Sequence, residues 1–579
     1  MKFKTEQIKH ASFLTSSILS LLISVPALSQ IPSGTTREEL SLPNPVSTSR
    51  DTGVKIERRE KSVSNCPFEA SDLKATIRKI DFLEPSNLTL PAELASILDD
   101  IMPPNDTNSL KAICDIRDQA YQALREKGWI ASVQIPQQNL VDTLRLDVVT
   151  ARLTSAVVIG DAGPYRGLIE TKISNLKDLV PFNEKSAERI LLDMNDVPGL
   201  NVKLSLAPTD GKLGDLIGKI AVVYEPYAAF VNVRNYNAKR TGRETLYGRF
   251  EYYGLTKQSD VTYIGAQSTV DFKEQWIGQL GHEFGIGPNN TRIGGDLTVA
   301  RVRPTVGTLD FESEAVIANL RVRHPLLREV NQSADITLGL DYADQSVDVT
   351  NVPLSKDKTR AIYLNSQISG NKSDPFTGKS FGYEGFIEMR QGLSGLGATR
   401  IGDAGLSVTD NVPASRPFGE ADSFVVRAGV NLATAMGPKF GVRVKTEAQW
   451  SDNPLLNYDE YSVGNLSIGR GYDPGANSGD RAIGGAFEAY TNIQARGGPN
   501  VQAFGFYDVV QLENLDPFTT DKVRTLSSIG GGIRMAVKKG VQLELAYAKP
   551  LDRAVISDLE KPTDRVLVSI TTKFPDLFR

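Results

Sequence analysis

The chain has 579 residues and a formal net charge of −4, a balance that argues against nucleic acid as the main partner. Hydrophobic residues make up 40 % of it and glycine is plentiful at 49 residues, yet beyond the N-terminus no segment offers the roughly 18 consecutive apolar residues that a membrane helix needs. Two cysteines and three histidines leave little material for a metal site or a histidine-based catalytic centre.

Residues 1–29 predict a secretory signal peptide. Lys2, Lys4 and Lys9 precede an apolar run from Phe13 to Val25, and Ala27 and Ser29 supply small residues for cleavage. Its removal takes away three lysines and Glu6 and makes the mature chain more acidic. An exported chain without a membrane helix is either soluble outside the cytoplasm or a β-barrel in an outer membrane. Residues 30–65 are rich in Pro, Ser and Thr without periodicity and read as a linker, with a short helix left open around Thr36–Leu42.

From residue 66 to about 225, strand and helix patterns alternate, and they do so twice. The first unit, residues 66–150, opens on the strand "LKATIRKIDFL" and continues with helices around Pro91–Asp100 and Leu110–Lys127. In the longer helix Leu110, Ile113, Ile116, Tyr121 and Leu124 share a face, and Gly128 stops it. Strands "WIASVQI" and "TLRLDVV" complete the unit. The second unit, residues 151–225, repeats the order with "LTSAVVIG", helices near Tyr165–Asn175 and Glu184–Met194, then "NVKLSLAP" and "DLIGKIAVVY". Both cysteines, Cys66 and Cys114, fall in the first unit, in a compartment that permits oxidation. A disulfide closing that loop would stabilise the fold by about 4 kcal/mol on a chain-entropy basis; two buried free thiols are the alternative. These tandem β-α-α-β-β units resemble POTRA domains, the periplasmic modules of outer-membrane translocases. "IPQQNLVDTLRLDVV" and "DVPGLNVKLSLAPTDGKLG" resemble the stretches that close such domains in one family, with a departure at Thr143, where glycine is more usual.

In residues 226–579 the helical period disappears. Sixteen segments of roughly ten residues alternate in polarity, the pattern of a transmembrane β-barrel. In "GVQLELAYAK", Val541, Leu543, Leu545 and Tyr547 face one way and Gln542 and Glu544 the other; in "FGVRVKTEAQW", Val442, Val444, Ala448 and Trp450 oppose Arg443, Lys445, Glu447 and Gln449. A soluble sandwich would alternate too, but a closed barrel also removes the open edges of so long a sheet. A barrel of this size encloses an aqueous channel. Chemical motifs fail on inspection. "TGKS" at 377–380 has Ser373 where a P-loop needs its first glycine, and the glycine pair at Gly469 and Gly471 meets Pro474 where a dinucleotide fingerprint needs its third. His282 lacks a zinc partner, and His324 is expected at a strand end beside a proline turn. No enzyme, cofactor or metal site is expected.

The connection 451–481 is long for a barrel loop, and such loops are usually functional. "NPLLNYDEYSVGNLSIGRGYDPGANSGDRAIGGAFEAY" resembles the signature loop of TpsB transporters, the outer-membrane half of two-partner secretion systems. The resemblance implies a loop folded back into the barrel lumen with an Arg-Gly-aromatic tip, here Arg470, Gly471 and Tyr472. The tip arginine, a permanent charge, needs a carboxylate partner inside a narrow lumen. Strict alternation in "VQAFGFYDVV" places Gln502, Phe504, Phe506 and Asp508 on one face, so Asp508, with Phe506 beside it, is the expected wall partner; the resemblance implies the same aspartate. Gly469 and Gly471 are expected to let the backbone reverse at φ values other residues resist.

The resemblance covers residues 66 to 574, with two departures: "PDLFR" runs past Phe574, so Phe574 or Phe578 ends the assembly signal, and the N-terminal plug helix of some members is not apparent. It implies a POTRA pair feeding a sixteen-stranded barrel in the outer membrane of a Gram-negative-type envelope, which exports one large unfolded TpsA-like exoprotein. Outer-membrane lipid, the barrel assembly machinery and periplasmic chaperones are the other expected partners. An assembly factor for other barrels and a passive porin are the alternatives; two POTRA units are few for the first, and porins lack periplasmic repeats.

Overall fold

The structure is a computed structural model that describes residues 34–43 and 66–574, apart from 105–106, 210, 288–289, 307–308, 495–498 and 539. The predicted signal peptide, most of the predicted linker and Phe578 lie outside the described residues.

Each predicted N-terminal unit is a sheet covered by two helices. In the first, Lys79–Glu84 runs parallel to Thr143–Thr150, which pairs antiparallel with Ala131–Gln134. The predicted opening strand is broken into Lys74–Ala75 and Lys79–Glu84. Helices Ala92–Leu98 and Lys111–Glu126 bury Leu94, Leu98, Ile113, Ile116 and Leu124 against Leu144, Leu146 and Val148. A disulfide joins Cys66 to Cys114 on the longer helix and ties the start of the unit to its core. The second unit repeats the plan: Arg152–Gly160 is parallel to Asp215–Tyr224, which pairs antiparallel with Leu200–Pro208. Helices Arg166–Lys177 and Glu184–Asn195 pack Ile169, Leu176, Leu191 and Met194 over Leu204 and Ile220. Backbone bonds between the units, Ile130 N to Phe182 O (3.3 Å) and Glu184 N to Gly128 O (2.7 Å), make the pair continuous.

Sixteen antiparallel strands follow and close into a barrel, the first, Tyr227–Arg234, pairing with the last, Arg565–Phe574. Alternation sorts the side chains as the strand period demands. Trp276, Leu280, Leu320, Trp450 and Tyr507 are exposed on the outer face, whereas Gln449, Glu488 and Asp508 are buried inside. The strands are less uniform than the expected ten residues. The sixth to eighth, Leu309–Arg328, Gln332–Val349 and Val352–Asp374, run for 20, 18 and 23 residues. Crossing a membrane takes only about 9–11, so these three extend well beyond the bilayer. A tight turn at Thr350 and Asn351, both at positive φ, lets the ladder continue to its tip. His324 lies within the sixth strand rather than at its end, and Pro325 is accommodated by a bulge there.

The second unit docks on one end of the barrel. Tyr224 donates its hydroxyl to Tyr253 O at 2.7 Å, and Arg328 on the sixth strand pairs with Asp196 at 2.9 Å. The long loops gather at the far end. The lumen is not the plain aqueous channel that strand number alone suggests, because two segments among the described residues enter it. One is the predicted loop. The other is residues 34–42, read from sequence as linker without an apparent plug; they carry a four-residue helix, Arg37–Leu40, closed by a capping box between Thr36 and Glu39. Gln345 and Asn457 donate side-chain amides to Thr35 O (2.8 Å) and Gly34 O (2.9 Å), and Leu40 packs on Ile277, Ala315, Ile317 and Ala343 of the wall.

Candidate functional site

The loop leaves the eleventh strand, Phe440–Ser451, and returns to the twelfth, Arg481–Gln494. It has structure of its own: Tyr461–Val463 pairs with Asn477–Gly479 as a small hairpin, and Tyr461, Val463, Ile468 and Tyr472 bury against Val510, Leu512 and Leu526 of the wall. Apolar burial therefore presses the loop on the thirteenth and fourteenth strands, Asn500–Glu513 and Val523–Lys538, and leaves its tip beside their inward face.

At the tip Arg470 and Asp508 meet. The guanidinium donates from Nη2 to Asp508 Oδ1 at 2.6 Å and from Nε to Oδ2 at 3.0 Å, and the Arg470 backbone N–H donates to the same Oδ2 at 2.9 Å. Asp508 is only 1 % exposed, so this paired geometry is what makes its charge tolerable there. The guanidinium also lies over the ring of Phe506, one inward position below, with the ring centroid 3.6 Å from Cζ. Gly471 donates its N–H to Ser528 Oγ at 3.2 Å. Tyr472 is fully buried; its hydroxyl donates to Ser527 O (2.9 Å) and accepts from Asp552 N–H (3.1 Å). Arg565 on the last strand then holds Tyr472 O at 2.6 Å and Asp473 at 3.1 Å.

The two glycines serve different ends. Gly469 sits at φ 116°, a left-handed conformation that favours glycine. Gly471 is not in that region; it is required for close approach, since a Cβ there would lie 2.8 Å from both Pro550 N and Ser528 Cβ. That corrects the expectation that both glycines act through φ.

Residues 222–535 match the family described as haemolysin secretion/activation protein ShlB/FhaC/HecB. The chain belongs to this family. It is an outer-membrane transporter of two-partner secretion, and its family's partner is a secreted exoprotein of the TpsA type. Two solved structures share the fold over 99 % of this chain and 100 % of theirs: CdiB from Escherichia coli, with TM-score 0.66 at 15 % identity, and CdiB from Acinetobacter baumannii, with TM-score 0.59 at 14 % identity. No curated relative matches in sequence. The assembly-factor and porin alternatives are not favoured.

For this two-partner secretion transporter, the end carrying the N-terminal units faces the periplasm and the long loops face outward. The site also contains residues that sequence reading did not single out. Glu488 on the twelfth strand accepts from three arginines: Arg470 (3.0 Å), Arg443 (2.8 Å) and Arg534 (2.9 Å). Arg534 lies over the Phe504 ring at 3.9 Å and pairs with Glu544 at 2.7 Å. The tip arginine thus joins a ladder of alternating charges backed by two phenylalanines. On the periplasmic side of the tip lies a cavity of about 920 Å³, lined by Arg470, Glu488, Asn465 and Lys445 above and by Asp196 of the second unit below. His282 and His324 share hydrogen bonds with Thr262 and Thr291, each at 2.8 Å, and among the described residues no group of His, Cys, Asp and Glu is placed to hold a metal.

Proposed function

We propose that this transporter receives one large exoprotein in unfolded form on two periplasmic POTRA domains, residues 66–150 and 151–225, and passes it outward through the barrel, residues 226–579. On this reading Arg470 and Asp508 hold the lumenal loop, 451–481, against the wall beside the export route. One observation carries the reading: the Arg470 guanidinium is committed to two wall carboxylates and an aromatic ring at the head of a polar cavity that opens toward the second POTRA unit. Recognition by β-augmentation suits the strand Arg152–Gly160, an edge of its sheet on which Val157, Val158 and Ile159 are exposed. Periplasmic chaperones would keep the exoprotein extended, and the barrel assembly machinery would insert the transporter. Transport is non-covalent, and folding of the exoprotein outside supplies the drive, so neither catalysis nor a cofactor is invoked.

The test is secretion of the co-expressed exoprotein by Arg470→Ala, Asp508→Ala and the double variant. Breaking a fully desolvated ion pair costs roughly 3–5 kcal/mol, and the polar lumen lowers that. Each single variant is expected to reduce secretion about tenfold, equivalent to roughly 1.4 kcal/mol, with the barrel still assembled. Arg470→Ala should be the more severe, since it strands Asp508, whereas Asp508→Ala leaves Arg470 on Glu488. The double variant should be little worse than Arg470→Ala, because both changes remove one contact. Normal secretion by assembled single variants would dismiss the clasp.

A further inference from the structure

The clasp fixes only the tip of the lumenal loop, and a second arginine, outside the loop, fixes its root. Arg416 belongs to the preceding extracellular connection, between the ninth and tenth barrel strands, and its side chain is buried. It holds both legs of the lumenal loop at once. On the outgoing leg Nη1 donates to Leu455 O at 2.8 Å and lies 3.0 Å from Glu460; on the returning leg Nη1 and Nη2 grip the two oxygens of Asp480, the latter at 3.1 Å. Nη2 also reaches Asn514 (2.8 Å) and Asp516 (2.7 Å) in the next extracellular loop. Asp480 has no exposed surface, and besides Arg416 it accepts from Leu455 N–H (2.7 Å) and Leu515 N–H (2.6 Å). Arg416 is itself anchored: Ser415 donates from its backbone N–H to Asp357 on the eighth strand at 2.8 Å. Loop and brace meet backbone to backbone, as a Cβ on Gly419 would fall 2.7 Å from Leu455 O.

We propose that Arg416 is a positioning residue for export: through Asp480 it sets how deep the lumenal loop hangs and so where Arg470 meets the wall. A guanidinium is needed because one planar fork must serve Asp480 through both oxygens while reaching Asp516 and Leu455 O. The idea rests on the lumenal loop's part in export, so its test reads loop position and secretion separately.

Nitroxide labels are placed at Asn465→Cys, in the loop, and Lys439→Cys, at a periplasmic turn, in the full-length protein, whose own two cysteines are joined to each other. The distance between the labels is measured by pulsed electron resonance with Arg416 intact and in Arg416→Ala. The expected result is one narrow distance with Arg416 and a broadened, shifted distribution without it, with secretion down about tenfold as a bidentate charge-assisted grip is lost. Arg416→Lys should give an intermediate distribution and partial secretion, and it serves in place of the alanine variant if that one does not assemble. An unchanged distribution in an assembled variant overturns the proposal, whatever secretion does. A broadened distribution with normal secretion upholds the positioning and instead refutes the loop's role in export.

Discussion

At Gly471 the loop backbone presses on the barrel wall, and the missing side chain is what permits it. Gly471→Ala has to separate the tip from Ser528 and Pro550 or strain both, at a cost of about 1–3 kcal/mol by analogy with overpacked interiors. We expect the barrel to assemble and secretion to fall toward the level of Arg470→Ala; wild-type secretion would show that this approach is dispensable. Much of the residue scale was legible in advance. Arg470 stood out through the resemblance of its loop to the TpsB signature, and strand alternation, with the same resemblance, put Asp508 on the inward face. Glu488 was missed although the same rule reaches it: it is two positions from Ala486, which lies opposite Asp508 in the register, and so it shares that face. The close-approach role of Gly471 was not legible, because it depends on which strand ends beside the loop.

At the scale of elements, what could be read followed a repeating period. The helices and strands of both N-terminal units were found within a few residues, since 3.6-residue and two-residue patterns repeat within each. The lumenal hairpin, with three residues a side, is too short to show a period, and residues 34–42 are placed by partners hundreds of positions away. Arg37 shows how such a segment is held: it lies 3.8 Å from Asp341 and 3.7 Å from Glu388, with Tyr458 of the lumenal loop facing it. Because this segment fills part of the lumen, deleting residues 34–43 should raise single-channel conductance in planar bilayers. Conductance equal to that of the full chain would mean the segment does not restrict the pore.

For the whole molecule, labour is divided between the N-terminal pair and the barrel, which build separate cores. The N-terminal pair meets the barrel through its second unit, at Tyr224 with Tyr253 and at Asp196 with Arg328, while the helix-and-sheet cores of the pair lie outside the barrel wall. A variant lacking residues 66–225 should therefore still insert as a heat-modifiable barrel and yet secrete no exoprotein; normal secretion would move recognition into the barrel. Barrel closure, strand number and loop position were all visible as alternation and spacing, whereas the crowding of the lumen emerges only when loop and N-terminal segment fold inward together. The central claim is that the tip of the 451–481 loop lies inside that lumen, against the thirteenth strand. The most direct measurement is oxidative crosslinking of Arg470→Cys with Asp508→Cys in intact outer membranes, beside labelling of the single Arg470→Cys variant by a membrane-impermeant thiol reagent applied from outside. The account predicts a 470–508 bond and little labelling. No bond, with position 470 freely labelled, would place the tip at the cell surface and contradict it.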